Sequence, residues 1–222
     1  MNWPLLISFY PRLLEGLTTT LGILVCSLSL GLLLGAVICT IRMRRMPVLA
    51  QFFDFYVLFF RGTPLLVQLF AIYFGLGQFE AVRESIAWPL LQEAWFCAVL
   101  ALGLNSAAFT SEIIRGGILG IERGQLEAAA AYGFSQVKTA RVIMFPQALR
   151  IAMPAYSNEI ILMLKGTALA STISIMDITG IARKLSSDNF APFEAFIAAG
   201  TLYLTLSLAL TAAFSMVERR FA

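Results

Sequence analysis

From Gly16 to Ile41 the chain runs for 26 residues without a charged side chain, and the run stops at Arg42, Arg44 and Arg45. A helix rises about 1.5 Å per residue and a bilayer core is roughly 30 Å thick, so this stretch is long enough to cross one. The rest of the chain is of the same kind. Of its 222 residues 59% are hydrophobic and 13% charged, against roughly 45 to 50% and about 25% in ordinary soluble domains. With a mean hydropathy of +0.82, the composition implies an all-α membrane protein. At about 20 apolar residues per crossing the length leaves room for four to six spans and no separate soluble catalytic domain.

The spans follow from where charge interrupts the apolar runs. The first is expected over about 16–41 and the second over about 52–77, which carries Asp54 and Arg61. The third covers about 94–115, the fourth about 151–175 with Glu159 and Lys165 inside it, and the fifth about 193–217. Three segments expected inside hold ten Lys or Arg. The N-terminal segment and the two loops expected outside, 78–93 and 177–192, hold only Arg12, Arg83, Arg183 and Lys184. Positive charge collects on the cytoplasmic side, so the N-terminus is placed outside and the C-terminus inside, with 116–150 a cytoplasmic loop. The opening MNWPLLISFYPRLLEGL lacks the charged start and cleavage site of a signal peptide. It reads as a short amphipathic helix lying at the interface before the first span.

Several chemistries drop out. With no His in the chain, a His-ligated metal site and a Ser-His or Cys-His nucleophile are excluded. Cys26, Cys39 and Cys97 all fall in apolar runs, where a thiol behaves as a small hydrophobe. No G-x-x-x-x-G-K-[ST] phosphate loop is present, and no carboxylates stand at catalytic spacing. Neither metal nor catalytic residues are assigned. The chain shows no internal repeat, which weakens the case for a secondary transporter built from paired halves.

Within the cytoplasmic loop, Glu127 to Ala131 is a good helix former, Gly133 is placed to end it in a left-handed conformation, and Ser135 can cap the next helix. A helix of about ten residues is too short to be stable alone, and its alanine surface suits a groove in another protein. The second amphipathic stretch is expected to end at Pro146. The spacing Glu127-Ala128-Ala129, three residues, Gly133, nine residues, Ile143, one residue, Phe145-Pro146 resembles the E-A-A-x3-G-x9-I-x-L-P loop of permease subunits of ATP-binding-cassette importers. It departs from that pattern only at Phe145.

Further stretches resemble the polar amino-acid branch of that family. Arg61-Gly62-Thr63-Pro64-Leu65-Leu66-Val67-Gln68 is similar to its R-G-T-P-x-x-V-Q motif. Physically, Gly62 and Pro64 interrupt a helix, and Thr63 and Gln68 can satisfy the backbone groups this frees. Leu104 to Glu112, Pro154 to Glu159 and Lys165 to Ala170 match as well. They look most like permeases for histidine, lysine, arginine and ornithine and for the opines octopine and nopaline.

The resemblance implies that Glu127, Ala128, Ala129, Gly133 and Pro146 belong to a coupling helix docked on a partner ATPase, which would bind the ATP and Mg. It also implies two ATPase subunits, a second permease subunit, here expected to be a related chain, and a periplasmic binding protein, all at a bacterial inner membrane. No cofactor in this chain and no nucleic-acid partner are expected, and the chain itself is not expected to be an enzyme. The competing reading is an ATP-independent channel or exporter for amino acids.

Asn105, Asn158, Glu159, Lys165 and Thr167 are the candidates for the substrate pathway. An unpaired carboxylate inside a span costs at least a few kcal/mol, so Glu159 must face protein, a partner cation or a wet cavity. Asn158 and Lys165 are seven apart and share a face, whereas Glu159 and Lys165 do not. That leaves Glu159 to meet the substrate or an arginine of the partner subunit. Asn105 and Glu112, also seven apart, are better suited to interhelical hydrogen bonding than to lining a cavity. Asp54, Arg61 and Glu112 lie near span ends, where a charge can reach the interface, and are given no chemistry.

Overall fold

The computed structural model describes residues 1–44 and 46–221, and the side chains of all these except Pro47, Arg219, Arg220 and Phe221. Arg45, one of the arginines that set the orientation, lies outside the described residues. In chain order the helices are α1 (Trp3–Met43), α2 (Pro47–Gly62), α3 (Leu65–Phe70), α4 (Glu80–Arg83), α5 (Trp88–Leu91), α6 (Ala94–Leu119), α7 (Arg123–Ala131), α8 (Gln136–Thr139), α9 (Phe145–Gly166), α10 (Ile178–Asn189) and α11 (Pro192–Phe221). No strand occurs among the described residues.

The charge-free run belongs to a helix of 41 residues, about 60 Å long and so roughly twice the bilayer core. The separate interfacial helix expected before residue 16 does not exist. Pro11 removes one backbone bond without ending the helix. The stripe that suggested an interfacial helix faces protein: Leu6, Phe9 and Leu13 are buried against Ile178, Ala182 and Leu185 of α10 and Ala195 of α11. An apolar face at helical spacing looks the same whether lipid or a neighbouring helix covers it.

Further along α1 the stripe turns small, and the backbones close up. A Cβ at Gly31 would come within 2.7 Å of the Ser106 side chain, one at Gly35 within 2.9 Å of Thr110, and one at Gly103 within 2.6 Å of Leu30. Lipid is as apolar as leucine, so such close packing of small residues holds spans together where the hydrophobic effect cannot. α1 and α6 form the central pair, and α9 packs antiparallel on α6. At one end Ala98, Ala101 and Leu102 share a core with Met163 and Leu164. At the other, a Cβ at Gly117 would meet the Ala148 carbonyl at 2.6 Å.

The other expected boundaries shift for local reasons. Residues 52–77 do not form one straight span: Val48–Gly62 and Leu65–Gln78 meet at 109°, because Pro64 offers no N–H and drives Thr63 into extended backbone. The helix of the fourth span begins at Gln136 rather than near 151 and passes through Pro146. A wide π-type turn over Ala140–Met144 accommodates the proline at the start of α9. At its far end the helix tightens into a 3₁₀ segment, Thr167–Ile173, and Ser174 stops it in the left-handed region at φ 66°. The expected outer loop 177–192 contains α10, N-capped by Asp177, whose Oδ1 accepts from Gly180 N at 2.8 Å. Its Oδ2 accepts from the Tyr203 hydroxyl at 3.0 Å. Among the described residues three helices, Trp3–Met43, Ala94–Leu119 and Pro192–Glu218, are long and apolar enough to cross a membrane. Two bent pairs, the elbow and Gln136–Ile173 with Ile178–Asn189, raise the total to as many as five.

Candidate functional site

The loop between α6 and α9 has a shape set by its glycine. α7 is nine residues long. Gly133 follows at φ +74°, its N–H bonding to Ala130 O and that of Phe134 to Ala129 O, both at 3.0 Å. These two bonds are a Schellman motif, which needs a left-handed residue at this point. Space does not demand the glycine, since a Cβ there would meet nothing within 4 Å; conformation does. Ser135 Oγ then accepts from Lys138 N at 3.3 Å and starts α8, and Gln147 Nε2 donates to Gln125 Oε1 at 2.5 Å, tying α7 to α9. Ala129 is turned inward, while Glu127, Ala128, Gly133 and Pro146 stay exposed. So do the apolar Tyr132 and Val137, at 84% and 76%.

The elbow after α2 is locked by amides. Gln68 Nε2 faces Phe60 O at 2.9 Å, Thr63 Oγ1 at 2.8 Å and Thr63 O at 3.1 Å, and Thr63 Oγ1 donates to Phe59 O at 2.8 Å. From α6, Asn105 Nδ2 donates to Phe60 O and to Gln68 Oε1, both at 3.0 Å. The carbonyls released by the break thus find donors inside the protein, as a broken helix in a membrane requires. Gly62 has open space around it and no unusual φ.

Beside the elbow stands a cluster of charges to which the sequence alone assigns no chemistry. Glu112 pairs with Arg42 of α1, with Arg115 at 2.8 Å and with Arg61 at 3.8 Å, and Arg42 Nε reaches Asp54 at 2.6 Å. Arg61 also lies over the Phe109 ring, 5.2 Å from its centroid. The i,i+3 spacing of Glu112 and Arg115 was a usable signal. The contacts across α1, α2 and α6 were not, because nothing local links residues so far apart.

The five pathway candidates do not converge. Asn105 serves the elbow. Thr167 is fully buried, donating to Leu164 O at 2.6 Å. Lys165 and Asn158 are exposed along one face of α9. Asn158 lines a cavity of about 180 Å³ between α9 and α11 with Ser157, Thr211 and Glu218, where Ser157 Oγ donates to Glu218 Oε1 at 3.0 Å. Glu218, missed as a site residue, is thus the carboxylate of that cavity. Glu159 is 5% exposed, and no ion pair forms at it among the described residues.

Residues 27–222 match the family described as the inner membrane component of binding-protein-dependent transport systems. The chain belongs to that family. It is 48% identical over 209 residues to the octopine transport system permease protein OccM of Rhizobium radiobacter, covering 94% of this chain and 85% of the relative. With the nopaline transport system permease protein NocM of Agrobacterium fabrum it shares 42% over 98% of this chain and 91% of the relative. With the histidine/lysine/arginine/ornithine permease protein HisM of Salmonella typhimurium it shares 42% over 93% and 88%. Among solved structures, an amino acid ABC transporter crystallised with histidines superposes with a TM-score of 0.89 at 33% identity, covering 99% of both chains. The methionine transporter MetNI shares the fold alone, with a TM-score of 0.76 at 17% identity. The resemblance read from the motifs is therefore real: the chain is a transport permease of the ATP-binding-cassette class, and the channel or exporter reading is not favoured.

Proposed function

We propose that this chain is one of two membrane bundles of an importer for a basic amino acid or an opine, delivered by a periplasmic binding protein and driven by ATP in partner subunits. The names of the relatives support the substrate class. The observation that carries the coupling is the Schellman-terminated α7, a short helix held out from the bundle in one fixed shape with Ala128, Ala130, Ala131 and Tyr132 uncovered. Glu127, Ala128, Gly133 and Pro146 are its contacts with an ATPase, and Ala129 seats it. The chain crosses five times, N-terminus outside and C-terminus in the cytoplasm. The second bundle is a related chain, and two ATPases hold the ATP and Mg.

Asn158, Glu159 and Lys165 on α9 remain the pathway residues, whereas Asn105 and Thr167 support backbone. Purification of the tagged chain, followed by reconstitution with the binding protein, tests the reading. An ATPase should copurify, and uptake of labelled arginine should require ATP on the ATPase side. Uptake that proceeds without ATP, or a purified chain with no ATPase bound, would overturn it.

A further inference from the structure

Two charge imbalances lie near one another in this bundle. At the end of α2, three guanidiniums, those of Arg42, Arg61 and Arg115, face two carboxylates, those of Asp54 and Glu112. On α9, Glu159 is buried and has no ion-pair partner among the described residues. The antiparallel register sets their level. Gly117 of α6 stands against Ala148 and Ala152 of α9, so two helical turns away Glu159 comes level with Phe109 and Thr110.

Arg61 is the loosest member of its cluster. Its contact with Glu112 is 3.8 Å, against 2.8 Å for Arg115, and its side chain is 44% exposed, against 13% for Arg42. It borders an open cavity of about 440 Å³, which leaves its long side chain room to move. The ring of Phe109, level with Glu159, is its other support.

We propose that Arg61 is a movable counter-ion, resting on Glu112 and Phe109 when a cationic substrate occupies Glu159 and swinging to Glu159 when the pathway is empty. A carboxylate within a span is costly without a cation in either state, and Arg61 supplies one in the state that lacks substrate. Substrate and Arg61 then compete for one carboxylate, which favours release of the transported cation. This rests on the reading that Glu159 lies on the pathway of a basic substrate.

The test is calorimetric binding of L-arginine, and of its uncharged isostere citrulline, to the purified permease–ATPase complex without binding protein or nucleotide. If Arg61 occupies Glu159 about nine-tenths of the time, Arg61→Gln should tighten arginine binding about tenfold while citrulline moves less than twofold. Phe109→Leu, which removes the seat holding Arg61 away, should act in the opposite direction and weaken arginine binding about threefold. It also keeps the test decisive if Arg61→Gln does not assemble. Glu159→Gln should weaken arginine binding and abolish the effect of Arg61→Gln when the two are combined. An Arg61→Gln effect that persists in the Glu159→Gln background, or Phe109→Leu leaving arginine binding unchanged or tighter, overturns the counter-ion while leaving the pathway reading in place. Unaltered arginine binding in Glu159→Gln alone, or no arginine binding by the unmodified complex, overturns both.

Discussion

Asn105 of α6 donates its amide to the side-chain oxygen of Gln68 in α3 at 3.0 Å, joining the centre of the bundle to the far side of a 109° elbow. The same Asn105 nitrogen also reaches Phe60 O, a carbonyl that lost its helical partner when Pro64 ended α2. The elbow is therefore held by side-chain amides from two helices, and its angle is a property of the folded bundle rather than of the proline alone.

Gln68→Leu should expose that arrangement. The Phe60 and Thr63 carbonyls would lose a donor in a water-poor setting, at a cost of about 1 to 2 kcal/mol. Asn105→Leu should cost a similar amount, and the double variant less than the two singles added, because each removes the partner of the other. Thermal unfolding in detergent, read as a double-mutant cycle, measures the coupling. Strict additivity would mean that the two amides do not act together.

Glu112 is the shared ion-pair partner of Arg42, Arg61 and Arg115. Glu112→Gln leaves guanidiniums on three helices facing one another across a partly buried space, and should destabilise the bundle by about 2 to 4 kcal/mol. Arg115→Gln should cost under 1 kcal/mol, because its side chain is 37% exposed and solvent screens the pair. The measurement is the midpoint of thermal unfolding for each variant. Equal losses would contradict the assignment of Glu112 as the hub.

The α1 glycines make a paired prediction. A methyl at Gly31 would press on Ser106 at 2.7 Å, whereas one at Gly22 would meet nothing within 4 Å. Gly31→Ala should therefore destabilise by about 1 to 3 kcal/mol through overpacking. Gly22→Ala should be neutral or stabilise by up to about 1 kcal/mol through helix propensity. Stability in detergent checks both, and the informative result is the difference between them.

What could be read from the sequence was what local chemistry controls. The uncharged run into Arg42 is continuous in the sequence, and the left-handed Gly133, the Ser135 cap and the break at Thr63–Pro64 each follow from a few neighbouring residues. Asp177 before Ile178-Thr179-Gly180 was a readable helix start, hidden because its segment was assigned to a loop by charge. The fate of Leu6, Phe9 and Leu13 was not legible, since their stripe specifies burial without saying against what. Nor was the Arg42–Glu112 pair, 70 residues apart, which exists only once α1 and α6 have packed. Glu218 escaped notice beside Arg219 and Arg220 because a carboxylate at the end of a span reads as interfacial, and only the fold brings it to Ser157.

Gly133 offers the sharpest test of the coupling role proposed for α7, because the structure separates two reasons for a glycine. Nothing surrounds the position within 4 Å, yet φ is +74°, so side-chain size is irrelevant and backbone preference decides. Asparagine tolerates the left-handed region best among other residues, alanine pays roughly 1 to 2 kcal/mol there, and a β-branched residue more. Substrate-stimulated ATP hydrolysis in the reconstituted complex should therefore fall in the order Gly, Asn, Ala, Val. Gly133→Val should abolish it while membrane insertion and thermal stability of the bundle stay near normal, since the strain relaxes by unwinding α7 alone. If alanine and asparagine behaved alike and valine only slightly worse, the shape of the loop would not be what transmits the ATPase motion. A loss of insertion in Gly133→Val would assign the glycine to folding instead.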